Sequence, residues 1–184
     1  DGGTKVITPK DRYLENIDGI GDFLLNNDTI DFILLQEVDR NSKRSYRGDQ
    51  FEKIAGILVG YNPFFAKNYD VFFVPAPPSK PMGKVVSGIA VYSKYNPVSS
   101  IRYSLSGDIG FPTQLFYLDR CFMANRFKVE NSKELVLINT HNEAFDEGGK
   151  IRKAQMERLR EFVLNEYNSG NYVILGGDWN QYPP

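Results

Sequence analysis

The chain has 184 residues and a net charge of −1, with 41% apolar and 24% charged residues. These values fit one compact domain and exclude a disordered polymer, a collagen-like repeat and a coiled coil. One cysteine, Cys121, excludes an internal disulfide and a Cys-rich zinc site, and one histidine, His141, excludes a His-based metal cluster within these residues.

A helix is expected from Pro9-Lys10-Asp11 to about Asn26, with Leu14, Ile17 and Leu24 on one face. Asp31 to Glu37 reads as a buried strand. Asp49 is placed to cap a second helix carrying Phe51, Ile54, Ala55 and Leu58 at core spacing. Short strands follow over Phe64–Lys67, Asp70–Val74, Ser87–Tyr92 and Val98–Leu105. Between the second and third, Pro75 to Pro81 holds four prolines and must be a loop, because proline donates no ladder hydrogen bond. Cys121 to Glu130 and Glu134 to His141 form a hairpin through Asn131-Ser132-Lys133. Lys150 to Glu166 is the strongest helix signal, with Ile151, Ala154, Leu159, Phe162 and Val163 on one side and Lys150, Arg152, Lys153, Arg158 and Arg160 on the wet face. Tyr172 to Leu175 is a last buried strand. Many strands with few helices suggest an α+β layered domain. The apolar runs are far too short to span a membrane.

Three of these strands end in polar groups: Gln36-Glu37, Asn139-Thr140-His141-Asn142, and Gly176-Gly177-Asp178-Trp179-Asn180. Carboxyl ends of strands favour ligand crevices, since the side chains there leave the core while staying anchored to it. Strand parity puts Glu37 on the face of Ile33 and Leu35, and His141 on that of Leu135, Leu137 and Asn139. The paired glycines permit positive φ and close backbone approach before Asp178. Glu37 and Asp178 supply two carboxylates for a hard cation such as Mg²⁺ (Mn²⁺ being the other option), which would polarise a phosphoryl oxygen. Asn180 adds a neutral donor and acceptor, and His141 is placed to hydrogen-bond a phosphate oxygen. The blander reading of each is a strand exit, a structural histidine and a common turn; the repetition on three strands favours a site.

Gln36-Glu37-Val38, Ser87-Gly88-Ile89-Ala90-Val91-Tyr92-Ser93-Lys94, Asn139-Thr140-His141 and Gly177-Asp178-Trp179-Asn180 occur in an order that resembles the endonuclease/exonuclease/phosphatase family, the DNase I-like proteins. The resemblance runs from about Phe32 to Asn180. It implies a four-layer α/β/β/α sandwich and a Mg²⁺-dependent hydrolase of phosphate esters. It also implies roles: Glu37 as the metal ligand, Asp178 as the carboxylate that orients or activates water, Asn180 beside the phosphate, and His141 on the scissile phosphate. Arg120 and Asn142 are the further phosphate-binding candidates, with a surface ion pair as the alternative for Arg120. The family's amino-terminal strand ending in Asn has no counterpart in Thr4–Thr8. Its closing Ser-Asp-His motif, which carries the acid–base histidine, has none after Asn180. The resemblance therefore implies a single domain over 1–184 that is incomplete at both ends and poorly active as a segment.

The motifs do not name the leaving group. Non-specific DNA cleavage favours a basic groove, and the one cluster, Arg40, Lys43, Arg44 and Arg47, also reads as a solvated loop. Glu143, Asp146 and Glu147 add negative charge near His141. These features favour a small or medium phosphoester over duplex DNA. The alternatives are a DNase I-like nuclease and a non-catalytic binding domain on the same scaffold. Phe72 and Phe73, beside the proline loop, read as partly core, with contact to a lipid or an apolar substrate as the alternative.

Overall fold

A computed structural model describes residues 8–27, 29–75, 81–105, 119–144 and 146–181. Thr4–Ile7 and the centre of the proline loop, 76–80, lie outside the described residues. The element order is α1 (Lys10–Leu25), β1 (Phe32–Asp39), α2 (Gln50–Ile57), β2 (Asn62–Val74), β3 (Gly83–Ser93), β4 (Ser99–Ser104), β5 (Cys121–Lys128), β6 (Glu134–His141), α3 (Lys150–Asn168) and β7 (Tyr172–Asp178). The strands make two sheets, ordered β1-β3-β2 and β4-β5-β6-β7.

Alternation along each strand sorts the apolar side chains into three layers. Ile33, Val38, Ala90 and Tyr92 pack outward on Leu24 of α1 and on Phe51 and Ile54 of α2. Ala66, Ile89 and Val91 meet Cys121, Met123, Phe127 and Leu137 between the sheets. Phe122, Ala124, Val136 and Ile138 face Leu159 of α3, with Met156, Phe162 and Val163 around it. The result is helix, sheet, sheet, helix: the α+β four-layer sandwich expected from the sequence. Among the described residues no helix is long and apolar enough to cross a membrane.

The local signals explain most of the elements. Asp49 caps α2 by accepting the Glu52 N–H at 3.0 Å. α1 starts after Pro9 with no side-chain cap, and it buries Ile17 and Leu24 while Leu14 stays exposed. The two short strands expected at 64–74 are one strand. Asn68 is buried at a register shift between Lys67 and Tyr69, so the chain bulges there and continues along β3. On α3, Ala154 is exposed and Gln155 takes its expected place in the core.

Two features of the second sheet bring polar groups together. β6 and β7 are parallel neighbours, in a register that sets His141 opposite Asp178. Asn139, buried between the sheets, ties β6 to the other sheet. Its Nδ2 donates to the carbonyls of Leu35 (3.1 Å) and Ala90 (2.9 Å), and its Oδ1 accepts from Gln36 Nε2 at 2.7 Å. The carboxyl ends of β1, β6 and β7 thereby share one end of the sandwich.

Candidate active site

β7 reaches β6 closely because of one glycine. Gly177 has φ +146°, and a Cβ there would lie 2.8 Å from Thr140 N and 2.9 Å from its carbonyl carbon, closer than real Cβ atoms come. Gly176 has no such constraint: its Cβ would meet only Leu34 at an ordinary 3.5 Å. The main-chain ladder continues past the strand end, where Asn142 N donates to Asp178 O at 2.9 Å.

The Asp178 carboxylate is held on one side and open on the other. Oδ1 accepts the Asn180 N–H at 2.9 Å, and Oδ2 lies 3.9 Å from His141 Nε2. Asn180 adopts a left-handed backbone (φ +49°) and donates Nδ2 to the Asn142 carbonyl at 2.8 Å. Asn142 is itself fixed, accepting from Thr140 Oγ1 at 2.8 Å.

His141 is 2% exposed. Burial, and then the nearby Arg120 charge, push its basicity down to about 4, against the pull of Asp178. The imidazole is therefore neutral at pH 7 and offers a hydrogen bond rather than a charge. Arg120 is not a surface residue: its Nε meets the buried Glu143 carboxylate at 3.4 Å. Glu143 is positioned in turn by α3, where Gln155 Oε1 accepts the Glu143 N–H at 2.9 Å. Arg120 Nη1 and His141 Nδ1 are both buried without a protein partner. The sequence reading counted Glu143 as added negative charge near His141; in the structure that charge is paired with Arg120.

A cleft of about 650 Å³ opens here, lined by Gln36, Ala144, Arg152, Gly177, Asp178, Trp179, Asn180 and Gln181. Arg152 leaves the wet face assigned to it and donates Nη1 to the Asn180 carbonyl at 2.9 Å. A larger cavity of about 790 Å³ lies around the start of β7, among Leu135, Val163, Tyr167, Tyr172 and Ile174, and among the described residues no carboxylate or cation lines it.

Glu37 leaves the alternation of its strand. The β1–β3 register shifts between Leu35 and Val38, and Glu37 takes φ +56°. The bulge breaks the alternation, so the expected face shared with Ile33 and Leu35 does not extend to Glu37. Gln36, not Glu37, lines the cleft. The Glu37 side chain is 61% exposed and lies 3.6 Å from Arg44, which also binds Asp39 at 2.9 Å. Burial holds the Tyr69 hydroxyl above its ordinary value, against the pull of the Arg44 and Arg120 charges. Among the described residues no three His, Cys, Asp or Glu side chains form a ready-made metal cage.

The structure therefore gathers Asp178, Asn180, His141, Asn142 and Arg120, and turns Glu37 towards Arg44, next in sequence to the cleft-lining Gln36. Gln36, Arg152, Glu143 and Gln155 were missed. For Gln155 the signal was present, because it shares the i, i+4, i+8 stripe with Ile151 and Leu159. Three members of the basic cluster are engaged internally: Arg40 pairs with Asp49 and Glu52, Arg44 with Glu37 and Asp39, and Lys43 donates to the Pro81 carbonyl. Burial pushes the Cys121 thiol up to about 11, which removes it as a nucleophile at neutral pH.

Comparison with curated proteins gives no match. Solved structures of this fold do match. An endonuclease/exonuclease/phosphatase protein from Beutenbergia cavernae is 21% identical, with a TM-score of 0.67 over 90% of this chain and 42% of its own. The human nocturnin catalytic domain is 20% identical, with a TM-score of 0.60 over 90% of this chain and 58% of its own. D. rerio TDP2 is 15% identical, with a TM-score of 0.63 over 93% of this chain and 56% of its own. The chain thus spans 42–58% of the length of these structures, which at such identities speak for the fold alone. The sequence itself fits the family model described as "Endonuclease/Exonuclease/phosphatase family" across residues 8–184, and the chain belongs to that family.

Proposed function

We propose that the chain carries the site of a divalent-metal-dependent phosphoesterase, which hydrolyses a phosphodiester or phosphomonoester with water as the nucleophile. The observation that carries this reading is the parallel register of His141 with Asp178, which joins a carboxylate, a neutral imidazole and a buried guanidinium at one strand end. Asp178 Oδ2, not engaged by the turn, is the acceptor that would orient a water and draw its proton. Arg120 Nη1 and His141 Nδ1 are buried polar atoms that phosphate oxygens would satisfy. Asn142 and Asn180 hold these groups in place and flank the phosphate.

A hard cation fits this chain as a site of few protein ligands. Mg²⁺ is commonly held by about one or two carboxylates together with waters and substrate phosphates, and Glu37 is an exposed carboxylate next to the cleft-lining Gln36. When bound, the cation would supply electrostatic stabilisation of the charge developing on the phosphoryl oxygens. The chemistry of similar structures supports the class: ANGEL2 is a 2′,3′-cyclic phosphatase, and D. rerio TDP2 binds a single-stranded DNA product.

The test is a phosphoester panel, from monoesters to oligonucleotides, with Mg²⁺ or Mn²⁺ and the full-length protein. Asp178→Ala and Glu37→Ala should each lower turnover by about 10²-fold or more while leaving the thermal midpoint near that of the parent. Full activity in Asp178→Ala would overturn the assignment. Specific phosphoester binding without turnover would show a recognition domain instead.

A further inference from the structure

Arg152 is the exception on α3. Lys150, Lys153, Arg158 and Arg160 are exposed, whereas Arg152 is half-buried and lines the cleft. Its Nη1 donates to the Asn180 carbonyl at 2.9 Å. Its own main-chain N–H is fixed by Asp146 Oδ2 at 2.9 Å, and its Nη2 reaches the Asp146 carbonyl at 3.4 Å. Asn180 is a non-glycine residue at φ +49°, a conformation that persists only when its surroundings over-determine it. Three hydrogen bonds do so. Two come from the strand ends, Asn180 N to Asp178 Oδ1 and Asn180 Nδ2 to Asn142 O. The third, from Arg152, reaches across from α3.

The consequence runs to Asp178. Its Oδ1 is spent on Asn180 N, and that bond leaves Oδ2 towards His141. If the Asn180 carbonyl is released, the turn loses its tie to α3 and the carboxylate loses its fixed orientation. We propose that Arg152 is a positioning residue, which holds the Asp178–Asn180 turn from α3 through the Asn180 main-chain carbonyl. Its effect on turnover rests on the phosphoesterase reading; its effect on the turn does not.

Trp179, the one tryptophan of the 184-residue chain, sits inside the turn and reports on it. In Arg152→Met, which keeps the apolar stem of the side chain and removes its guanidinium donors, Trp179 emission should move to longer wavelength and acrylamide quenching should rise. Lys153→Met, on the exposed side of the same helix, should leave both unchanged. Unchanged emission and quenching in a folded Arg152→Met overturns the proposal. If Arg152→Met does not fold by circular dichroism, Arg152→Gln is read in the same way. In the full-length protein, kcat should fall by about 10- to 100-fold with KM little changed, as for a mis-set catalytic group. A raised KM at constant kcat would make Arg152 a substrate contact and overturn positioning. If the parent enzyme hydrolyses no phosphoester, the functional reading fails, and the fluorescence result still decides the role of Arg152.

Discussion

Two adjacent glycines should answer the same substitution in opposite ways. At Gly177 an alanine Cβ would have to sit 2.8 Å from Thr140 N and 2.9 Å from Thr140 C, on a backbone with φ +146°. The obstacle is backbone inside a parallel ladder, so no side-chain rotation relieves it. Overpacking of this kind costs about 1–3 kcal/mol and the backbone strain about 1–3 more, giving about 2–6 in all. At Gly176 the new Cβ meets Leu34 at 3.5 Å with no conformational penalty. Gly176→Ala should therefore be neutral, or stabilising by up to about 1 kcal/mol through the unfolded chain. Urea unfolding of the 184-residue chain separates the two. With a slope of about 2 kcal/mol per molar, Gly177→Ala should lower the midpoint by about 1–3 M. Equal shifts for the two variants, or a Gly177→Ala change below about 0.5 kcal/mol, would refute the claim that this residue sets the distance between the site's two strands.

Other consequences concern charge and burial. His141 has a folded value of about 4 against an ordinary 6.5, so between those pH values the unfolded chain binds more protons. Its contribution to stability is whole above pH 6.5 and is lost as the pH falls towards 4, by up to about 3 kcal/mol at about 1.4 per unit. His141→Gln should flatten a stability–pH curve in that window, and an unaltered slope would refute the assignment. Arg126 binds Glu166 through two hydrogen bonds and Glu134 at 2.9 Å, and its guanidinium holds the Glu166 carboxyl below the usual carboxylate range. Glu166→Gln should cost about 1–3 kcal/mol, and the more exposed Glu134→Gln less than about 1; chemical denaturation orders them, and the reverse order would contradict the geometry. Asn139→Ala leaves the Gln36 amide and two main-chain carbonyls without their partner, and calorimetry should show a loss of about 2–4 kcal/mol.

What the sequence made legible was whatever depends on period and on local turn chemistry. Asp49 caps a helix because a carboxylate at that position satisfies the Glu52 N–H, and Asn131 turns a hairpin because it tolerates φ +60°. His141 and Asp178 fall at strand ends because the apolar runs before them stop there. Bulges were not legible. Asn68 and Glu37 each shift the register of a strand, and nothing in the alternation on either side announces that one residue is surplus. At Asn68 the consequence is small, one strand in place of two. At Glu37 it decides which side chain meets the cleft: Gln36 turns inward to Asn139 and Glu37 outward to Arg44.

The supporting residues were hidden for a different reason. Arg152, Glu143 and Gln155 are of types that usually face water, and residue type argues against burial of Arg152 even though the 3.6-residue period sets it on the side of Met156 and Leu159. Their burial is imposed by partners on other elements: Asn180 after β7 for Arg152, Arg120 before β5 for Glu143, and the Glu143 main chain for Gln155. No local window contains those partners. A buried guanidinium is tolerated only where a carboxylate comes with it, so Arg120 inside the sandwich required an acid within reach, and Glu143 lies two residues past the end of the strand that delivers His141. Search for such obligatory partners, rather than for further motifs, is what would have recovered the inner wall of the site from sequence. That search would have identified α3 as part of the site, since its first two turns supply Arg152 to Asn180 and Gln155 to Glu143.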